Sequence, residues 1–370
     1  MNLTISKKTL EQLLDQVYPV IQKKATLPLV TMAHMSFVQK DDNSLILIKG
    51  TDLQTTIITG DSIDAVSNPF AICFDINTMS SLLKSLPEMP LNITVDKDTL
   101  KMTVIAEKGV YDIVTMPADD FPMEIKIENP IEFIMTNEML KRIVLSSSAA
   151  ANDELRPTMN GVYVEVLDGV MNIISTDANI MFISKYDSVD SQNVSFIIPS
   201  TAIKALKSIV DKFDDVTVQV SERNIVIKRG KMKYILRSVD GKYPNYKAVI
   251  PSFDINNIKI DVNAKEFGNS IDRLKLVSNT ETLKITAQDN TLKIESSNVD
   301  LSVSATESLS AEIEGEITFG LMHQKISSVL KMFGKDEIRF HASVPERAIL
   351  ITSECDPTFT GLVMPAMIQQ

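Results

Sequence analysis

Apolar residues along the chain follow two rhythms, and the order of those rhythms recurs. A short alternating stretch leads into a small polar residue, then into apolar positions three and four apart, the spacing of one helix face. Three segments share this plan: Leu3-Thr-Ile-Ser-Lys-Lys-Thr-Leu, Phe133-Ile-Met-Thr-Asn-Glu-Met-Leu and Ile260-Asp-Val-Asn-Ala-Lys-Glu-Phe. Ser6, Thr136 and Asn263 stand at equivalent places, where each can accept a hydrogen bond from an unpaired amide of the first turn. The stripes that follow are Leu10, Leu13 and Leu14; Leu140, Ile143 and Val144; and Phe267, Ile271 and Leu274.

A second helix is expected further into each unit, at 75–86, 200–210 and 321–333. Each follows an apolar strand (70–74, 194–198, 317–319) and precedes another (91–95, 216–220, 337–340). Between the helices lie hairpins, of which the one turning at Asp168-Gly169 has the clearest turn chemistry. Thr51-Asp52, Thr176-Asp177 and Ser297-Asn298 line up at offsets of 125 and 121 residues. The units also end alike, at Val114-Thr-Met-Pro, Leu236-Arg-Ser-Val and Leu362-Val-Met-Pro. One unit of two helices and several strands is therefore used three times. Helices that do not alternate with every strand predict an α+β fold with antiparallel sheets.

The 370 residues contain 12 glycines, 3 histidines and 2 cysteines. No glycine spacing matches a dinucleotide loop or a nucleophile elbow, and Leu321 stands where a phosphate loop after Gly315 and Gly320 needs lysine. Cys73 and Cys355 have no metal-ligand neighbours, and His34, His323 and His341 are scattered. Asp119-Asp120 and Asp214-Asp215 sit in turn-like contexts and read as solvated carboxylates. No cofactor, metal or catalytic residue is expected, nor a signal peptide or membrane span, so the expected compartment is the cytoplasm.

The formal charge of −11 argues at first against a nucleic-acid partner. Divided by predicted element it separates. The segments 6–24, 75–86, 136–148, 200–213, 263–275 and 321–335 together carry +9, leaving −20 elsewhere. Lysine's helix propensity alone can make helices basic. The alternative is a shared positive face that holds a phosphate backbone without reading bases. On that reading Lys84, Lys141, Arg142, Lys204, Lys207 and Arg273 are candidate DNA contacts.

Several local motifs then carry a resemblance: Thr26-Leu-Pro-Leu, Gly50-Thr-Asp-Leu, Met116-Pro-Ala-Asp-Asp-Phe-Pro, Asn160-Gly161, Ser175-Thr-Asp, Val239-Asp-Gly-Lys-Tyr-Pro-Asn-Tyr and Val363-Met-Pro. In order and spacing the chain resembles the bacterial DNA polymerase III beta subunit family, the sliding clamps. The resemblance implies three DNA-clamp domains (1–124, 125–250, 251–370), each two helices packed on antiparallel sheets, in a head-to-tail dimeric ring. It implies a non-enzymatic processivity factor that surrounds double-stranded DNA. Partners would be a second copy, the replicative polymerase alpha subunit, the clamp-loader delta subunit, and other polymerases and repair proteins bearing clamp-binding motifs.

By the same resemblance, Lys24 and Arg156 match DNA-contacting positions. A partner-peptide pocket would comprise Met159, Thr176, Asn179, Met181, Pro244, Val249, Leu362, Val363, Met364 and Pro365. Tyr111 and Ile113 would meet Leu276 and Val277 across the dimer. The chain departs from the family at Ala178-Asn179-Ile180-Met181, where Gly-His-Arg-Leu is usual, at Ala248 and Ser200, where arginine is common, and at Ala366-Met367. Two rival readings remain: an enzyme with its site at a domain junction, which lacks motifs, and a static architectural DNA binder, which should be basic overall.

Overall fold

The polar residue that opens each helix closes its first turn. Ser6 accepts from the Thr9 amide at the start of α1 (Lys7–Val17), and Asp75 from the Asn77 and Thr78 amides of α2 (Ile76–Ser85). Thr136 accepts from Met139 in α3 (Asn137–Ser146), while α4 (Ser200–Lys207) follows directly on its strand. Asn263 accepts from Lys265 and Glu266 in α5 (Ala264–Ser278). No side chain caps α6 (His323–Phe333), and there the His323 amide donates to the Glu281 carbonyl at 2.7 Å. Every residue of the three expected stripes is buried.

The computed structural model describes residues 2–40, 43–63, 70–96, 98–125, 127–212, 214–253, 256–278, 281–298 and 302–368. They divide into two compact units, Met1–Lys141 with Thr201–Ser238, and Arg142–Ser200 with Val239–Gln370. Each unit holds one four-stranded and one nine-stranded sheet, all pairings antiparallel. In the first unit the nine-stranded sheet joins strands of the first and middle repeats, Thr55–Ile63 pairing with Met232–Arg237. In the second it joins the middle and last, Ile180–Tyr186 pairing with Phe359–Val363. The sequence repeats are thus not the compact units: the middle repeat divides its strands between two sheets.

The Asp168-Gly169 turn has φ values of 52° and 78°, the geometry of a two-residue hairpin whose twist matches its strands. Asp289-Asn290 makes the same turn without glycine, with φ of 50° and 54°. Helix α1 ends at Val17, because Pro19 has no amide to continue it, so Lys23 and Lys24 lie in irregular chain beyond the helix to which the charge count assigned them. Gly320 has a packing reason: a Cβ there would lie 2.3 Å from the Ala366 carbonyl, which pairs with this strand.

Candidate functional site

The eight candidate DNA contacts fall into three groups. Lys24, Lys84, Lys204 and Lys207 are exposed and form no ion pair among the described residues. Lys141, Arg156 and Arg273 are exposed but paired, with Asp211 (3.2 Å), Asp153 (2.8 Å) and Glu307 (2.6 Å). Such pairs contribute little and exchange readily for a phosphate oxygen. Arg142 must be corrected. Its guanidinium is largely buried, paired with Asp356 and 5.2 Å from the centroid of the buried Phe359 ring. It lies one turn from Met139 and Ser146, at the margin of the helix's buried stripe, and a charge count cannot tell margin from face. Asp356 answers it: burial acts to raise its carboxyl, but Thr358 and Arg142 hold it below the usual value.

Five of the expected pocket residues are buried: Met159, Thr176, Met181, Leu362 and Val363. Asn179, Pro244, Val249 and Met364 are exposed, and Pro365 is half-buried. Met181 and Leu362 face each other across paired strands and belong to one apolar cluster with Ile174, Ile197, Tyr243, Tyr246, Ala348 and Leu350. Val363 does not join it. Alternation along the strand turns its side chain to the opposite face, into the core with Ile180 and Phe182. Met364 and Val249, 38% and 52% exposed, leave apolar surface open near the ends of the segments that build the cluster.

The sequence motifs pointed to the Val239–Tyr246 segment but not to its tyrosines as site residues. Tyr243 stacks on Tyr163 (centroids 4.6 Å, planes 5° apart), and Tyr246 meets the same ring edge-on at 6.2 Å. The Tyr246 hydroxyl donates to Glu165 Oε2 at 2.8 Å, and Lys247 pairs with the same oxygen at 2.9 Å. Burial acts to raise the Glu165 carboxyl; hydrogen bonds from Lys247 and Tyr246 outweigh it and hold the group low. These contacts fix one wall of the cluster as a rigid aromatic surface.

The turn beside it shows why Thr-Asp recurs. Thr176 Oγ1 donates to the Ile180 carbonyl and accepts from the Ala178 amide, while Asp177 Oδ1 accepts from Asn179 and Ile180. Thr51 and Asp52 make the same set with Thr55, Leu53 and Gln54. In both, the third residue is left-handed, with φ of 75° at Leu53 and 76° at Ala178. Glycine, usual at the second position in the resembling family, adopts this conformation freely; a side chain costs about 1 kcal/mol. Ala178→Gly is therefore expected to stabilise the protein by up to about 0.5 kcal/mol, after allowing for glycine's greater freedom when unfolded. A thermal melt checks it, and a lower Tm would contradict the strain.

Leu276 and Val277, at the end of α5, are 85% and 57% exposed. Tyr111 is half-buried on Gly109–Ile113, an edge strand with one partner among the described strands. Ile113 is corrected: it is buried at 5% exposure in its own unit, while Val110 stands out. The strand Val303–Ser310 is likewise an edge. Among the described residues, no group of three His, Cys, Asp or Glu side chains is placed to hold a metal ion. No helix among them is long and apolar enough to cross a membrane.

Three repeats of paired helices on antiparallel sheets define an α+β class of repeated domains, and solved structures share the fold. The chain matches a Pseudomonas aeruginosa DNA polymerase III subunit beta at TM-score 0.91, 23% identity and full coverage of both chains. A Thermotoga maritima beta subunit matches at TM-score 0.88, 22% identity and the same coverage. A Bacillus subtilis beta sliding clamp is 24% identical over 99% of each chain. Models of the N-terminal, central and C-terminal domains of the DNA polymerase III beta subunit match residues 1–126, 133–245 and 247–367. The chain belongs to that family: it is a DNA sliding clamp of three clamp domains, a processivity subunit rather than an enzyme.

Proposed function

We propose that two copies associate head to tail around duplex DNA and tether the replicative polymerase, with residues 1–124, 125–250 and 251–370 as the three domains. The observation that carries this reading is the succession of three domain matches from residue 1 to residue 367. Grip comes from Lys24, Lys84, Lys204 and Lys207, which meet phosphates without reading bases, so the protein is free to slide. Lys141, Arg156 and Arg273 join by exchanging their carboxylates. An acidic remainder disfavours binding from outside, and retention is topological rather than a matter of affinity.

The cluster around Met181, Leu362, Tyr243 and Tyr246 is the partner slot, with Met159 and Thr176 beneath it and Asn179, Pro244, Val249, Met364 and Pro365 as its rim. A mostly apolar floor with few polar edges suits short peptides. Its occupants are segments of the polymerase alpha subunit, the clamp-loader delta subunit, and other polymerases and repair proteins with clamp-binding motifs, all in the cytoplasm. The subunit contact sets Leu276 and Val277 against the edge strand bearing Tyr111. The test is loading onto nicked circular DNA with a clamp loader and ATP, followed by linearisation. The protein is expected to leave through the cut ends; retention on linear DNA would mark an ordinary DNA binder.

A further inference from the structure

We propose that Lys325 and Asp177 are positioning residues of the slot rim, and that a phosphate group entering the cavity beside them resets that rim. The inference rests on reading the Met181–Leu362 cluster as a partner slot. Asp177 divides its two oxygens between two tasks. Oδ1 accepts the Asn179 and Ile180 amides at 2.8 and 2.9 Å, which closes the turn. Oδ2 accepts from Lys325 Nζ in α6 at 2.5 Å. The turn in its grip holds the next segment, because the Asn179 carbonyl accepts the Met364 amide at 2.7 Å. Three links thus run from α6 to Met364. The paired side chains are only 23% and 16% exposed, so salt screens them less than a surface pair.

The ion pair also lines a polar cavity of about 580 Å³, shared with Asp153, Glu154, Arg156 and Asn179. Its two cations, Lys325 and Arg156, are paired with Asp177 and Asp153, and Glu154 is a third acid on the wall, so a phosphate enters only by displacing a carboxylate from a cation. A phosphate, with up to two charges and three acceptor oxygens, competes with a single carboxylate for either cation. Drawing Lys325 away leaves Asp177 Oδ2 without its cation and loosens the turn that holds Met364. Coupling of this kind is reciprocal: an occupant that orders the rim weakens phosphate binding by the same factor.

The chain has no tryptophan, so Met364→Trp places the sole indole on the rim. The full chain with this change is titrated with inorganic phosphate, or with a duplex oligonucleotide, against chloride at equal ionic strength. A saturable emission shift is expected. Adding Lys325→Gln is expected to move the starting emission to the shifted position and abolish the response, whereas Lys331→Gln, on the same helix but outside the cavity, leaves it intact. Hydrogen exchange at the Met364 amide, followed in the chain with native Met364, is expected to be several-fold faster with Lys325→Gln than with Lys331→Gln. A response to inorganic phosphate alone supports the site and assigns it to free phosphate; a response to duplex as well assigns it to the DNA backbone. No response to either probe, or an equal response without Lys325, overturns the proposal. Peptide binding is measured separately by anisotropy, so its absence would sink the slot reading while leaving the phosphate response to be judged alone.

Discussion

A chain carrying Leu276→Ala and Val277→Ala is expected to elute as a monomer at concentrations where the native protein is a dimer. The two residues are neighbours on the last turn of α5 and expose apolar surface that a second copy would cover. Central apolar contacts in an interface contribute roughly 2 kcal/mol each, so losing both weakens each of the ring's two interfaces about a thousandfold. Because both side chains are mostly exposed in the single chain, its own fold should survive. Light scattering on the eluted peak, with circular dichroism as the folding control, reads the result. A variant that remains dimeric would remove these residues from the subunit contact.

Acidification from pH 7 to pH 4 is expected to remove about 3 kcal/mol of stability through His34. The ring is buried beside Phe121, centroids 4.9 Å apart, and its strand neighbours opposite are Lys49 and Cys73. Burial first, and Lys49 second, lower its pKa from 6.5 to about 4. Between those values the unfolded chain binds a proton that the folded chain refuses, so stability falls as pH drops through that window and levels off below it. The neutral variant His34→Gln should flatten this dependence in urea titrations at pH 7, 5.5 and 4.5. Amide exchange at Met35, next to the ring on its own strand, and at Ile72, its partner on the neighbouring strand, localises the effect. An unchanged pH slope in the variant would show that other groups carry it.

Local chemistry made much of the fold legible. Cap residues, helical stripes and the Asp168-Gly169 hairpin each depend on a few neighbouring positions, and each is where the pattern predicts it. The misplaced residues depend on facing and on distant partners. Arg142, Ile113 and Val363 have the right chemistry at the right sequence position, but the face of a helix margin or the parity of a strand sends each inward. Lys24 follows Pro19 out of the helix. The tyrosine wall was missed because Tyr163 and Tyr243 stack across 80 positions of sequence, a pairing no local period encodes.

The shared nine-stranded sheets set a timetable for synthesis. The first unit has all its strands once residue 238 has been made. The second must wait for Phe359–Val363, which completes the pairing of Ile180–Tyr186. At ~5–20 residues per second the intervening stretch takes roughly 6–25 s. Throughout that interval the nascent Ile180–Tyr186 strand has one bare hydrogen-bonding edge, flanked by Phe182 and Ile183. The N-terminal unit can fold on the ribosome, while this edge is the segment that a chaperone would have to shield from other nascent chains.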